Sequence, residues 1–117
     1  MCIRDRRATV RERSAQLAQA REHLARIQDD VELRVQAAYN KLDRTRQMIA
    51  VSEELLTLRA ENRRMTLEQV AHGSALGSQS QATAAQELEA KAVLLQSRLE
   101  YVQAAAEMDE AIGRTPR

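Results

Sequence analysis

His72-Gly73-Ser74-Ala75-Leu76-Gly77-Ser78 holds two of the chain's three glycines, and the sequence on either side of it reads as helix. On the N-terminal side, residues 8–71 contain no proline and no glycine. Leu17, Ala20, Leu24, Ile27, Val31, Val35, Ala38, Leu42 and Ile49 recur there, mostly at alternating spacings of three and four. That spacing marks one face of a helix or a coiled-coil seam. At ~1.5 Å per residue such a segment is roughly 95 Å long, too long to curl round a small core. Gly73 can take the left-handed conformation that ends a helix. Ser78 reads as the next N-cap, with Gln81 three residues on completing a capping box.

The second helix is expected over about 79–112, roughly 50 Å at the same rise. Gly113 stops it and Pro116 comes soon after, the usual order at a C-terminus. A link as short as 72–78 forces the two helices antiparallel. The expected fold is all-α: a long, coiled-coil-like helical hairpin over residues 8–114 with unequal arms, and 115–117 as a tail.

Composition supports this. The chain has 117 residues, so it holds one domain at most. It is 44% hydrophobic and 30% charged, but only 2% aromatic. Sheets draw on aromatic and β-branched residues and on frequent turn residues, so sandwiches, barrels and doubly wound sheets are close to excluded. Alanine carries much of the apolar share, which makes narrow seams and no thick core. Eighteen basic and seventeen acidic residues interleave to a net +1, the pattern of solvated helix faces and not of a phosphate-binding stripe. The single cysteine, Cys2, forms no internal disulfide and so does not locate a compartment. No apolar run approaches the ~20 residues of a spanning helix. The first residues lack the apolar core of a signal peptide, and residues 1–7 read as a non-native or truncated start.

The second helix carries two seams. One is Leu88, Ala92, Leu95, Leu99, Val102 and Ala106; the other is Leu94, Arg98, Tyr101, Ala105, Met108 and Ile112. Their offset places them roughly 100–120° apart around the helix. One seam can pack on the first helix, and the other has no partner within the chain. A helix with two seams stands between two neighbours, as in a bundle or a ring.

The residues offer no catalytic constellation, and no enzyme, cofactor or metal is expected. His23 and His72 are far apart and lack metal-ligand spacing. Gly73 and Gly77 come after no strand and precede no Gly-Lys-Ser/Thr, so they are turn glycines and not a phosphate loop. Asp29-Asp30 and Glu53-Glu54 are adjacent acids on a helix and point in different directions. Arg63-Arg64 lacks aromatics for base stacking and has Glu61 and Glu68 beside it, which argues against nucleic acid. Cations near a helix C-terminus are explained by the macrodipole. Met48, Met65 and Met108 read as packing residues. Tyr101 is either a core aromatic or a residue that reaches a neighbouring subunit.

Three landmarks resemble the TolC-like outer-membrane efflux proteins. Val35-Gln36-Ala37-Ala38-Tyr39-Asn40-Lys41-Leu42 resembles the V-x-x-A-Y-x-x-L stretch that opens a long tunnel helix in that family. His72-Gly73-Ser74 lies where the family has its tip glycine. Leu99-Glu100-Tyr101, with Glu107-Met108-Asp109-Glu110-Ala111-Ile112-Gly113 after it, is similar to its closing signature. The separations from Gly73 to Tyr101 and from Tyr101 to Gly113 match without a gap, and the resemblance covers about residues 8–114.

The resemblance implies a homotrimeric channel whose α-helical tunnel wall crosses the periplasm. It also implies a β-barrel in the outer membrane, absent from this chain, and substrate handed over from an inner-membrane pump through a periplasmic adaptor protein. This chain would be a C-terminal, periplasmic fragment: the last long tunnel helix, its tip and the return helix. Gly73, Ser74, Ala75, Leu76, Gly77 and Ser78 would be the tip that the adaptor contacts. Tyr39, Leu88, Leu95, Leu99, Tyr101, Val102, Met108 and Ile112 are expected to pack between helices. The tip departs from the family's Gly-Leu-x-Ser/Thr type turn, because Leu76 stands two places later. Where some members carry an acidic constriction ring, Gln79 and Ala82 stand here, so no anionic ring is implied. Two rival expectations are the hairpin of the adaptor itself, flanked by lipoyl-like β segments, and a free-standing coiled-coil scaffold or holdase.

Overall fold

The computed structural model describes residues 2–114. It is an all-α hairpin of two helices, α1 over Cys2–Ala71 and α2 over Gly77–Ala111, with no strand among the described residues. Helix α1 begins at Cys2 and not near residue 8. Nothing in Cys2–Arg7 breaks a helix, Asp5 sits in the first turn, and the Thr9 hydroxyl donates to the Asp5 carbonyl at 2.8 Å. An acid in the first turn is favoured by the helix dipole. The tail 115–117, with Pro116, lies outside the described residues.

The chain divides into two units, residues 1–37 and 38–117. In the first, every described residue except Val35 is exposed. Its ion pairs, Glu22–Arg26 at 3.4 Å and Asp30–Arg34 at 3.0 Å, span one helical turn between well-exposed side chains. Pairs of that kind add only tenths of a kcal/mol. Val10, Leu17, Leu24 and Val31 repeat strictly every seven residues and lie open to solvent.

The second unit is the paired part of the hairpin. Two features make the reversal. At the end of α1, Gly73 adopts φ +75°, the Gly73 N–H donates to the Val70 carbonyl at 3.0 Å and the Ser74 N–H to the Gln69 carbonyl at 2.9 Å. These paired bonds are the Schellman arrangement, and the left-handed residue in it favours glycine. At the start of α2 the cap is Leu76, in extended conformation, and not Ser78. The Gln79 side chain accepts from the Leu76 N–H at 3.2 Å, while the Gln79 N–H donates to the Leu76 carbonyl at 3.0 Å. Leucine has no side-chain acceptor, so the cap is one-sided. Because the reversal is complete by Leu76, Gly77 and Ser78 fall inside α2 and the Ser78–Gln81 box does not form. Helix α2 closes at Ala111 with Ile112 as its cap, and Gly113 at φ +81° repeats the same paired bonds, Gly113 to Glu110 and Arg114 to Asp109.

Three contacts set the register of α1 against α2: Lys41–Glu107 at 2.8 Å, Ser52–Ser97 at 2.9 Å and Arg63–Glu87 at 2.8 Å. Along this unit α1 carries the three-four repeat Ala38, Leu42, Thr45, Ile49, Ser52, Leu56, Arg59, Arg63, Thr66, Val70, all buried or half-buried. Helix α2 answers with Ser80, Thr83, Glu87, Ala90, Leu94, Ser97, Tyr101, Ala104, Met108, Ala111, also all buried or half-buried. The register sets Leu42 opposite Met108, Ile49 opposite Tyr101 and Leu56 opposite Leu94. Small layers alternate with these: Ala38 with Ala111, Thr45 with Ala104, Ser52 with Ser97. Large residues facing each other every second layer, with small ones between, form an interdigitated coiled-coil seam.

Candidate functional site: the flanks and tip of the hairpin

The seven-residue repeat fixes which side chains are left over. Of the two seams expected on α2, Leu88, Leu95, Leu99 and Val102 are between 59% and 65% exposed, and Ala92 and Ala106 are exposed with them. They form a continuous apolar stripe with no partner in the chain, roughly 150° round α2 from its buried face. The other expected seam is only partly the buried one. Leu94, Tyr101 and Met108 turn inward, whereas Arg98 and Ile112 do not. The buried face is rotated by half a seam: α2 packs through the small residues Ala90, Ser97 and Ala104 together with Leu94, Tyr101 and Met108.

Helix α1 has a leftover stripe too. Met48, Val51, Leu58 and Met65 are exposed, with Leu55 half-buried among them, about 100° from the buried face of α1. The polar contacts show which flank each stripe belongs to. Leu55 shares a shallow groove with Val93 and Gln86, on the same flank as Lys41–Glu107. The Leu88–Val102 stripe leans toward the opposite flank, where Arg98 meets Glu53 at 3.6 Å. Tyr39, 59% exposed, and Leu67 occupy α1 positions on that second flank. Of the residues expected to pack between helices, Tyr101 and Met108 are half-buried within the hairpin, and Tyr39, Leu88, Leu95, Leu99, Val102 and Ile112 are exposed in it.

Sequence reasoning keyed to apolar residues missed the polar half of the seam. Thr45, Ser52 and Thr66 on α1 and Ser97 on α2 are all buried, and each hydroxyl also bonds a carbonyl of the preceding turn. Thr45, Ser52 and Thr66 do fall on one seven-residue column, and that spacing was the available signal. Glu87 was missed as well. Its carboxylate accepts from Arg63 at 2.8 Å and lies 3.5 Å from the Lys91 ammonium, while Arg59 donates to the neighbouring Gln86 at 3.0 Å. The Arg63 hydrogen bond, helped by the charges of Lys91 and Arg63, holds the Glu87 carboxyl below the usual carboxylate range against the opposing effect of burial. Arg64 is bound to Glu61 and Glu68 at 2.6 Å each. The Glu61 contact, first as a hydrogen bond and then as a charge, lowers that carboxyl and raises the guanidinium. Arg63 and Arg64 are therefore occupied by carboxylates; neither serves as a dipole-capping cation in the last turn.

At the tip, Ala75 is half-buried, while Gly73, Ser74 and Leu76 are exposed, Leu76 at 69%. Gln79 is a capping residue for Leu76 and Ala82 an exposed position one turn further on. His23 and His72 are both exposed. Among the described residues no three His, Cys, Asp or Glu side chains are grouped to hold a metal, and no helix is long and apolar enough to cross a membrane. What the arrangement can do is bind laterally, through two apolar stripes, and at its end, through an exposed turn bearing one leucine. No protein-family model, no curated protein and no solved structure matches the chain.

Proposed function

We propose that this chain is the tunnel-wall hairpin of a TolC-like outer-membrane efflux channel, a non-enzymatic conduit. In that role the hairpin stands in the periplasm as part of a homotrimer, with residues 73–78 facing a periplasmic adaptor that links it to an inner-membrane pump. The observation that carries the reading is the pair of unpartnered apolar stripes, Leu88–Val102 and Met48–Met65, leaning to opposite flanks of one hairpin. Burying a leucine is worth about 1.5–3 kcal/mol, so each stripe stands to gain several kcal/mol from a neighbouring helix. Stripes on both flanks suit a wall of helices better than a closed two-helix unit. The left-handed Gly73 at the apex agrees with the tip glycine of the resemblance. Solute would pass along polar faces that carry Arg, Glu, Gln and Ser, which select no single compound.

The test is a cysteine at Ser74 or Leu76 in the full-length protein, crosslinked in an assembled pump. A specific adduct with the periplasmic adaptor is the expected result, and its absence in a working pump overturns the reading.

A further inference from the structure

The hairpin changes character halfway along. From Ala38 to Leu56, and from Leu94 to Ala111, the facing layers include three large apolar pairs, Leu42 with Met108, Ile49 with Tyr101 and Leu56 with Leu94. Beyond them, toward the turn, the register sets Arg59 opposite Ala90, Arg63 opposite Glu87, Thr66 opposite Thr83 and Val70 opposite Ser80. The next large layer after Leu56–Leu94 is thus an ion pair. The Glu87 side chain is only 12% exposed, so its charge is withdrawn from water and depends on the cations that meet it. Those are Arg63 from α1 and Lys91 from α2, with Arg59 of α1 bonded to the adjacent Gln86. Glu89 of α2 lies in the same groove as Arg59. Arg63 and Lys91 stay partly in water, at 44% and 52% exposure, so the pair contributes little net cohesion while intact, whereas loss of a cation leaves the carboxylate poorly solvated.

We propose that the distal part of the hairpin, residues 57–91, opens and closes as a unit of its own, latched by Glu87 against Arg63 and Lys91, while the apolar base stays paired. This stands independently of the conduit reading. Simple fraying would loosen α2 at its free end, Ala111, and leave the covalently closed turn the better protected. The composition of the layers reverses that order.

Hydrogen exchange on the whole 117-residue chain at neutral pH and low salt decides it. Amides of 58–70 and 79–91 are expected to exchange about tenfold or more faster than those of 42–56 and 94–108, the behaviour of a locally opening unit. Glu87→Gln widens that gap, and salt does the same in the wild type. The double change Arg63→Leu with Glu87→Leu makes this layer apolar and closes the gap, which keeps the test decisive should Glu87→Gln unfold the chain. Equal protection in both parts, faster exchange at the base, or a gap unchanged in the double variant overturns the proposal. The crosslinking result at the tip is unaffected by any of these outcomes.

Discussion

The hydroxyls of Ser52 and Ser97 face each other across the hairpin at 2.9 Å, and they have one bond too many for the protons they carry. Ser52 also lies 2.7 Å from the Met48 carbonyl, and Ser97 2.9 Å from the Val93 carbonyl. A hydroxyl has a single proton. Two protons serve three contacts, so one serine donates across the seam while the other donates back along its own helix. Both residues are almost fully buried, at 2% and 4% exposure, which makes this the one dry hydroxyl bridge between the helices among the described residues.

That sharing predicts a shallow response to truncation. Ser97→Ala leaves the Ser52 proton its Met48 carbonyl, so the loss is at the low end of about 0.5–1.5 kcal/mol. Changing both serines to alanine costs less than the two single losses added together, because either single change already removes the one bond across the seam. Ser97→Leu, by contrast, overfills a layer built for small side chains and costs about 1–3 kcal/mol. Urea melts monitored by circular dichroism distinguish these, and a double alanine variant that loses the full sum refutes the shared-proton account.

The two turn glycines respond differently to alanine. Gly73 holds φ +75° with nothing near a built Cβ, so the penalty of Gly73→Ala is backbone strain alone, about 1–2 kcal/mol. Gly77 lies in the first turn of α2, also with open space, so Gly77→Ala is neutral or stabilises by up to about 1 kcal/mol. Thermal melting of the two variants side by side checks the order.

Acid removes the Glu87 latch in a defined direction. Its carboxyl is held below the ordinary range by the hydrogen bond from Arg63, so the stability it adds is present above the ordinary carboxylate value, about 4.3, and fades as pH falls through the lower folded value. The difference in melting temperature between wild type and Glu87→Gln is therefore expected to be constant near neutrality and to shrink below about pH 4. A difference that does not shrink as the solution is acidified well below the ordinary carboxylate value places the effect of the substitution elsewhere than in charge.

The α2 stripe predicts association. Leu95→Gln with Leu99→Gln is expected to leave helicity nearly unchanged, since both side chains point away from α1, and to reduce self-association or aggregation of the chain by about tenfold or more in apparent affinity. Sedimentation of the two proteins at matched concentration measures it. The original chain running as a cooperatively melting monomer removes the support for lateral neighbours.

The helical hairpin was legible because its signals are local: glycine at the reversal and three-four spacing on both arms. The expected pattern also contained an unpartnered seam, and the stripe through Leu88, Leu95, Leu99 and Val102 is one. Which α2 residues face α1 was less legible. Apolar counting finds two seams without choosing between them, and it passes over Ala90, Ser97 and Ala104, which are buried while Leu88, Leu95 and Leu99 are exposed. Capping was off by two residues: the Gln79 side chain accepts from the Leu76 N–H, the part that the expected box gives to Gln81 at the Ser78 N–H. Residues 2–7 join α1 although they lack the three-four apolar spacing of residues 17–49, because helix propagation needs only that nothing interrupt it.

The register contacts advance by eleven residues on α1, from Lys41 to Ser52 to Arg63, and by ten on α2, from Glu107 to Ser97 to Glu87. Such a zip tolerates changes in length only in whole periods. About seven residues added to each arm lengthen the hairpin by about 10 Å and return every side chain to its own bearing. An insertion that is not a whole number of periods rolls one helix against its mate, and the greasy edges that were aimed outward are swung toward the salt bridges.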